Sequence, residues 1–134
     1  MPDCSDVKKI VTAIVVDDDE LMRRAISAAL ISLNCEVIGE TYDGEEALEL
    51  YNEKKPDLVL LDIRMPKMDG LEVLTKLSEA DEDAYVVMMT FMDDDDFVED
   101  CMIAGAKDYL RKDMSLKDMI NRIERHVLRI QKMA

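Results

Sequence analysis

Short apolar runs alternate with longer amphipathic segments along the chain. Four runs have the composition of buried strands and a weaker fifth follows them: Ile10 to Val16, Cys35 to Glu40, Asp57 to Asp62, Tyr85 to Thr90 and Lys107 to Lys112. The sequences LVLL and VVMM carry no polar residue, which is typical of strands that are buried on both faces of a sheet. The alternation predicts five strand and helix pairs.

The segments between the runs have the period of α-helices. From Met22 to Leu33 the apolar residues fall at i, i+3, i+4, i+7, i+8 and i+11, so they form one face. Further helix starts are predicted at Asp43-Gly44, at Asp69-Gly70 and at the S-x-x-D sequence that begins with Ser115. The last helix carries one apolar stripe, which consists of Leu116, Met119, Ile120, Ile123, Val127 and Ile130.

Strands and helices in this order form βαβ units with right-handed crossovers. We therefore expect an α/β fold, in which helices cover both faces of a mostly parallel sheet. The length of 134 residues favours one domain over residues 1–134, with a core from about residue 10 to about residue 130. An open sheet of this kind binds its ligand outside the carboxyl ends of the strands.

The composition limits the partners that the domain can have. Thirty-one acidic and seventeen basic residues give a formal net charge of -14, which repels a nucleic acid backbone and an anionic membrane alike. No apolar run approaches the ~20 residues that span a bilayer, and the start of the chain is too polar for a signal peptide. Cys4, Cys35 and Cys101 lack zinc-site or disulfide spacing, so we expect a cytoplasmic protein.

Polar residues close four of the five predicted strands. Asp17 and Asp18 follow the first strand, Asp62 ends the third, Thr90 ends the fourth and Lys112 ends the fifth. Carboxylates that share one crevice repel each other unless a cation separates them, and an oxygen-only site suits Mg²⁺. The set predicts phosphoryl transfer, with Asp62 as the nucleophile and with Thr90 and Lys112 on the phosphoryl oxygens.

The chain resembles the receiver domain of two-component response regulators. The resemblance rests on VVDDDE, LLDIRMPKMDG, GAKDYL, the strand-terminal Thr90, and Lys112 preceded by Tyr109. It implies a flavodoxin-like doubly wound (βα)5 fold with the strand order 2-1-3-4-5. The sequences IGETYDGEEALEL and TFMDDDDFV resemble the NarL/LuxR-type subfamily, whose receivers usually continue into a helix-turn-helix domain.

For the acceptor and the metal, the resemblance implies four residues. Asp62 would be the phosphoacceptor, and Asp18 would be a direct Mg²⁺ ligand. Asp17 would assist directly or through water, and the main-chain carbonyl of Arg64 would complete the protein ligands together with Asp62.

For the signal, the resemblance implies phosphorylation by a sensor histidine kinase. Thr90 and Lys112 would bind the phosphoryl group, Thr90 would move toward it, and Tyr109 would turn inward as a switch. The output would be a changed affinity for a partner, or homodimerisation, at the face of the fourth helix, fifth strand and fifth helix, roughly Phe97 to Leu128. Such a domain assists its own phosphorylation without being a turnover enzyme, and it would control transcription through an effector domain that this sequence does not contain.

Two positions depart from the commonest family pattern. Asp113 follows Lys112 where many receivers have proline, so a cis peptide bond is not expected there. Phe91 follows Thr90 where a small residue is frequent, and its ring could restrict access to the site.

Two alternative functions stay open. One is a haloacid-dehalogenase-like, Mg²⁺-dependent phosphatase with Asp17 as the nucleophile and Asp19 two residues later. That family expects Thr or Val two positions further on, where this chain has Leu21, and it does not account for MPKMDG. The other is an interaction module whose site residues are vestigial.

Several residues have simpler structural interpretations. Asp19, Glu20 and the run Asp93 to Asp96 suit helix N-termini, where acids are favourable. Tyr109 could be a fixed core aromatic instead of a switch. His126 is expected to be a solvated histidine on the polar face of the last helix.

Overall fold

Five strands alternate with five helices in the computed structural model, which describes residues 9–91 and 95–133. The strands are β1 (Thr12–Val16), β2 (Glu36–Thr41), β3 (Leu58–Asp62), β4 (Val86–Thr90) and β5 (Asp108–Arg111). The helices are α1 (Glu20–Ser32), α2 (Gly44–Lys54), α3 (Gly70–Ala80), α4 (Asp95–Ile103) and α5 (Leu116–Met133). Each predicted strand is present, with ends that differ by one or two residues.

The strands form one parallel sheet in the order β2-β1-β3-β4-β5. This order confirms the expected fold class. The register aligns the ends of the central strands, because Val16 pairs with Leu61 and Asp62 pairs with Met89. The residues that follow β1 and end β3 are therefore neighbours at one edge of the sheet.

The core consists of two apolar layers, one on each face of the sheet. In β3, Val59 and Leu61 belong to the layer under α2, α3 and α4, whereas Leu58 and Leu60 belong to the layer under α1 and α5. All four side chains are fully buried. The absence of polar residues in LVLL thus follows from burial on both faces.

Among the helix starts that the structure describes, those of α1, α2 and α3 have acidic N-caps, as the sequence predicts. Asp19 accepts hydrogen bonds from the main-chain N–H groups of Leu21 and Met22, Asp43 accepts from Glu45, and Asp69 accepts from Glu72. At the predicted start of α5, the Ser115 hydroxyl accepts from the N–H of Asp118 at 3.1 Å. Of the predicted capping run from Asp93 to Asp96, residues 93 and 94 lie outside the described residues, and α4 begins at Asp95.

The apolar stripe of α5 packs on the core through Met119, Ile123, Val127 and Ile130, whereas Leu116, at the first helical position, is exposed. One expectation for α5 is wrong. His126 is buried, because the polar face of α5 packs against residues at the starts of β4 and β5. Its two ring nitrogens bond to Tyr85 and Asp108 there, which offsets the cost of burial.

No helix in the described ranges is both long enough and apolar enough to cross a membrane.

Candidate functional site

Asp17 lies at the base of an acidic site, directly after β1, and is fully buried. Its Oδ1 accepts a hydrogen bond from the N–H of Asp19 at 2.9 Å, and its main-chain oxygen accepts one from Nη1 of Arg23 at 2.9 Å. Lys112 Nζ lies 2.7 Å from Oδ2. That oxygen has this ionic neighbour, but it accepts no well-aligned hydrogen bond from the described residues.

The other three acids of the run have different environments. Asp18 is exposed and lines a cleft above Asp17. Asp19 caps α1 with its carboxylate, and Glu20 pairs with Arg24 one helical turn later at 2.8 Å. The simple interpretation of Asp19 and Glu20 as residues of the helix start therefore agrees with the structure.

Asp62 ends β3 and is 5% exposed. Lys112 Nζ lies 3.1 Å from its Oδ1, and the N–H of Arg64 donates to the same oxygen at 3.3 Å. Burial raises the pKa of Asp62 to about 7, against the opposing effect of the Lys112 ammonium, and the nearby Asp17 and Asp18 raise it further. Two buried carboxylates, Asp17 and Asp62, thus share the Lys112 ammonium group, and the exposed carboxylate of Asp18 lies close to them.

The segment between β3 and α3 is held close to Asp62 by Gly70. The N–H of Gly70 donates to the main-chain oxygen of Ile63 at 2.7 Å, and a Cβ atom at Gly70 would lie 2.3 Å from the main-chain oxygen of Asp62. Only glycine allows this approach. The D-G pair of the sequence therefore combines a helix cap, Asp69, with a contact that fixes the strand end.

Thr90 and Lys112 come from neighbouring strand ends. Thr90 is buried at the end of β4, and its main-chain oxygen accepts from the N–H of Lys112 at 2.8 Å. The Phe91 ring is 55% exposed, with its centroid 5.2 Å from Nζ of Lys112. An open cleft of about 340 Å³ lies above these residues, and its lining consists of Asp18, Asp19, Asp62, Arg64, Thr90, Phe91 and Lys112.

The acidic residues fit a divalent cation. Asp17, Asp18 and Asp62 each offer an oxygen within 4.8 Å of the others, which is an oxygen-only set of the kind that Mg²⁺ prefers. The buried Oδ2 of Asp17, which lacks a hydrogen bond, provides an acceptor at the base of the site. A cation would also relieve the repulsion that raises the pKa of Asp62.

The two remaining predicted site residues are Arg64 and Tyr109. Arg64 lines the cleft with an exposed side chain. Tyr109 lies in β5 and is 39% exposed, so its interpretation as a fixed core aromatic is wrong. Asp113 pairs with Arg111 at 2.8 Å, and the Lys112 to Asp113 peptide bond is trans.

The sequence analysis missed two contacts of the site. Arg23 holds the main-chain oxygen of Asp17 from the first turns of α1, and it lies 3.7 Å from Glu40. The ring of Phe91 packs over Lys112, although only its bulk was noted from the sequence. Phe91 and Lys112 lie on different strand ends, and Arg23 binds a main-chain oxygen, which has no signal in residue type.

The strand order and the acidic cleft define the class of two-component receiver domains. Comparison with known protein families supports this class, because the family model of the response regulator receiver domain matches residues 13–124 of the chain. The chain therefore belongs to the response regulator receiver domain family. Domains of this family are phosphorylation-activated signalling modules and not classical enzymes, and they interact with histidine kinases.

Individual relatives include a regulator that the match covers almost whole and a longer one. The chain is 37% identical to the response regulator GacA of Pseudomonas aeruginosa over 115 residues, which are 85% of this chain and 54% of GacA. It spans about half the length of that relative. It is 39% identical to the chemotaxis protein CheY of Bacillus subtilis over 99 residues, which are 74% of this chain and 82% of CheY.

Solved structures share the fold closely. The CheY of Borrelia burgdorferi, crystallised with CheX, BeF3 and Mg²⁺, superposes with a TM-score of 0.82 at 31% identity, over 87% of this chain and 88% of that one. The receiver domain of NarL from Mycobacterium tuberculosis superposes with a TM-score of 0.80 at 31% identity, over 89% and 97% of the two chains. The predicted likeness to NarL-type receivers is thereby confirmed.

Proposed function

We propose that Asp62 accepts a phosphoryl group from the phosphohistidine of a sensor histidine kinase. The observation that carries this proposal is the position of Lys112, whose Nζ lies 2.7 Å from Asp17 and 3.1 Å from Asp62 at the base of the open cleft. A buried acceptor beside a fixed cation and below an opening supports phosphoryl transfer, because the donor can approach through the opening and the cation can offset the phosphoryl charge.

In the transfer step, a carboxylate oxygen of Asp62 forms a bond to phosphorus while the bond from phosphorus to the donor imidazole breaks. The electron pair of that bond returns to the imidazole nitrogen. Lys112 and Thr90 would hold the phosphoryl oxygens, and the ammonium group would offset the charge that builds up on them. The product is an acyl phosphate on Asp62, so the domain is consumed as a substrate instead of turning over.

Asp17, Asp18, Asp62 and the main-chain carbonyl of Arg64 are the proposed ligands of Mg²⁺. When bound, the ion supplies positive charge to the carboxylates and to the incoming phosphoryl oxygens. The support is the cluster of three carboxylates and the acceptor on Asp17 that lacks a hydrogen bond. Arg23 and the N–H of Asp19 position Asp17 for this role.

The proposed output is a shift between two conformations. Thr90 would move toward the phosphoryl group and Tyr109, now 39% exposed, would turn inward into the space that Thr90 vacates. The affected surface would be the face of α4, β5 and α5, where phosphorylation would favour a partner or a second copy of the chain. Control of transcription through an effector domain is part of the proposal. Its support is limited to the match with 54% of GacA, which leaves room for a further segment in a regulator of that kind.

Two further expectations are retained as proposals. The continuous sheet supports a single receiver domain over residues 1–134. The buried free thiols of Cys35 and Cys101 support a reducing compartment, the cytoplasm. The phosphatase alternative has no comparable support, since its nucleophile, Asp17, is fully buried and bonded to its neighbours.

Intact-protein mass spectrometry after incubation with acetyl phosphate and Mg²⁺ tests the proposed chemistry. We expect one added phosphoryl group, which is lost in hydroxylamine and absent with EDTA or in Asp62→Asn. Asp43→Asn, which makes the same change at a helix-capping acid that does not line the cleft, is the control and should still be phosphorylated. No adduct on the parent would indicate a vestigial site, and an adduct that persists in Asp62→Asn but not in Asp17→Asn would favour the phosphatase.

A further inference from the structure

A basic groove crosses the surface between the start of β5 and the middle of α5. Its lining consists of Lys107, Asp108, Arg122, Arg125, His126 and Arg129, and its volume is about 250 Å³. Four cationic side chains thus meet one carboxylate, in a chain whose net charge is -14. The proposed phosphoryl transfer makes no use of this groove.

The base of the groove is a bonded network. Nη2 of Arg122 lies 2.7 Å from both carboxylate oxygens of Asp108. Nε2 of the buried His126 lies 2.8 Å from Asp108 Oδ2, and its Nδ1 lies 2.6 Å from the hydroxyl of Tyr85. Because these contacts join β4, β5 and α5, they hold the groove in one shape. The negative charge of Asp108 is thereby paired with the positive charge of Arg122.

The other three cations of the groove have no such balance. Lys107 Nζ lies 6.0 Å from the centroid of the Tyr85 ring, and Arg129 lies beside the Tyr85 hydroxyl. Within residues 9–91 and 95–133, none of Lys107, Arg125 and Arg129 forms an ion pair with an acid. Among the described residues that line the groove, Asp108 is the one acid, although the sequence has almost twice as many acids as bases.

The spacing of the arginines indicates the shape of a ligand. Arg125 and Arg129, the two arginines that Asp108 does not hold, lie at i and i+4 on α5, about 6 Å apart along the helix axis, and Lys107 directly precedes β5. A series of carboxylates on a peptide can pair with each of these three cations separately, which a single small anion cannot do. A long nucleic acid would extend past the groove onto the acidic remainder of the surface, where it would be repelled.

We propose that the basic groove binds a short acidic segment of a partner protein. The guanidinium groups of Arg125 and Arg129 and the Lys107 ammonium would pair with its carboxylates, while Arg122 stays held by Asp108. This inference deepens the proposed function by giving the chemistry of a partner for the output face. Binding of the peptide by the groove does not depend on the proposed function. Only a change of that binding on phosphorylation of Asp62 rests on it.

The test is fluorescence anisotropy with a labelled helical peptide of about 15 residues, which carries Glu at i, i+3, i+4 and i+7. The same peptide with Gln at those positions, a short DNA duplex and inorganic phosphate are the comparison ligands. We expect Arg125→Glu and Arg129→Glu to weaken binding of the Glu peptide at least about fivefold, with a loss of affinity as salt rises. Both side chains are exposed, and circular dichroism would verify that the variants fold.

Lys132→Glu is the matched control, because Lys132 is exposed on the same helix outside the groove and the change in charge is identical. Equal weakening by Lys132→Glu would overturn the proposal in favour of diffuse attraction. The proposal would also be overturned if the Gln peptide, the DNA duplex or phosphate bound as tightly as the Glu peptide or more tightly. A dimer of the chain in sedimentation that depends on Arg125 would overturn it as well. Binding that persists in Asp62→Asn would support the groove even if the proposed phosphorylation failed.

Discussion

Gly70, the first residue of α3, contacts the main chain of Asp62 so closely that a Cβ atom would lie 2.3 Å from the Asp62 carbonyl oxygen. The same atom would lie 2.8 Å from Cα of Ile63. Both neighbours are backbone atoms, so neither can move aside without shifting the strand end. The helix that follows the acceptor thus fixes the position of the acceptor itself.

Gly70→Ala should therefore affect both stability and phosphorylation. We expect a loss of about 2–3 kcal/mol in the free energy of unfolding, measured with urea, because the added methyl group overpacks a rigid contact. Phosphorylation by acetyl phosphate should slow about tenfold or more, because the carboxylate is displaced. Gly39→Ala is the control, since its Cβ would meet only movable side-chain atoms at 3.3 Å or more. Equal effects of the two substitutions would contradict this explanation.

Ionisation of Asp62 should make the metal-free protein less stable at high pH. Its pKa is raised to about 7 in the fold, chiefly by burial, whereas an unfolded aspartate titrates near about 3.9. The folded state consequently binds more protons between about pH 4 and about pH 7, so stability falls as the pH rises through this range and the cost is complete above it. Asn at this position carries no such cost.

Asp62→Asn should accordingly be more stable than the parent at pH 8 in EDTA, by about 2–4 kcal/mol. The difference should shrink toward pH 4, and Mg²⁺ should narrow it at pH 8 by stabilising the parent. Urea unfolding of both proteins at several pH values, with EDTA or Mg²⁺, measures each effect. A stability difference that stays constant with pH would show that packing, and not charge, is responsible.

The sequence predicted the fold and the strand-end residues because both depend on local pattern. The sequences LVLL and VVMM are apolar enough to predict strands that are buried on both faces. In a parallel sheet, the acids that follow β1 and end β3 then lie at the same edge. The individual roles within the acidic run were less accessible. Nothing local distinguishes buried Asp17 from exposed Asp18, because Arg23 and Lys112, which surround Asp17, come from later elements.

The interpretation of His126 failed for the same reason. Its neighbours on the α5 helical surface are arginines, which are typical of a solvated face. Its partners Tyr85 and Asp108 precede it by 41 and 18 residues. A helical pattern gives the side on which a residue lies, but it does not indicate that a strand edge covers part of the polar side.

Asp108 should stabilise the fold at neutral pH through this network. Burial raises the pKa of its carboxyl, but the hydrogen bonds from His126, Arg122 and the N–H of Tyr109 outweigh that effect and lower it to about 2. Because the folded pKa lies below the unfolded value, the stabilisation is present above about pH 4 and is lost as the pH falls toward about 2.

Asp108→Asn should therefore lower the free energy of unfolding by about 1–3 kcal/mol at pH 7, and the difference from the parent should diminish between pH 4 and pH 2. Urea unfolding across this range provides the measurement. Asp113→Asn breaks an exposed pair with Arg111, so it should cost less than about 0.5 kcal/mol at pH 7. A larger cost for Asp113→Asn would mean that exposed pairs, and not the buried network, dominate.

Phe91 should lengthen the life of the phosphorylated form. Its ring lies over Nζ of Lys112 and forms part of the cleft wall, so it limits the approach of water to an acyl phosphate on Asp62. A cation–π contact at an exposed position contributes about 0.5–1 kcal/mol, so its complete loss in the transition state of hydrolysis would change the rate by a factor of about 2–5. We expect Phe91→Ala to shorten the half-life by about threefold or more, measured by loss of the phosphoryl adduct from intact protein.

Phe91→Leu separates the two contributions of the ring, because it keeps apolar cover over the cleft without a π-face. If cover against water dominates, Leu should restore most of the half-life, whereas an effect equal to that of Ala would assign the role to the Lys112 contact. An unchanged half-life in Phe91→Ala would leave the ring without influence on hydrolysis.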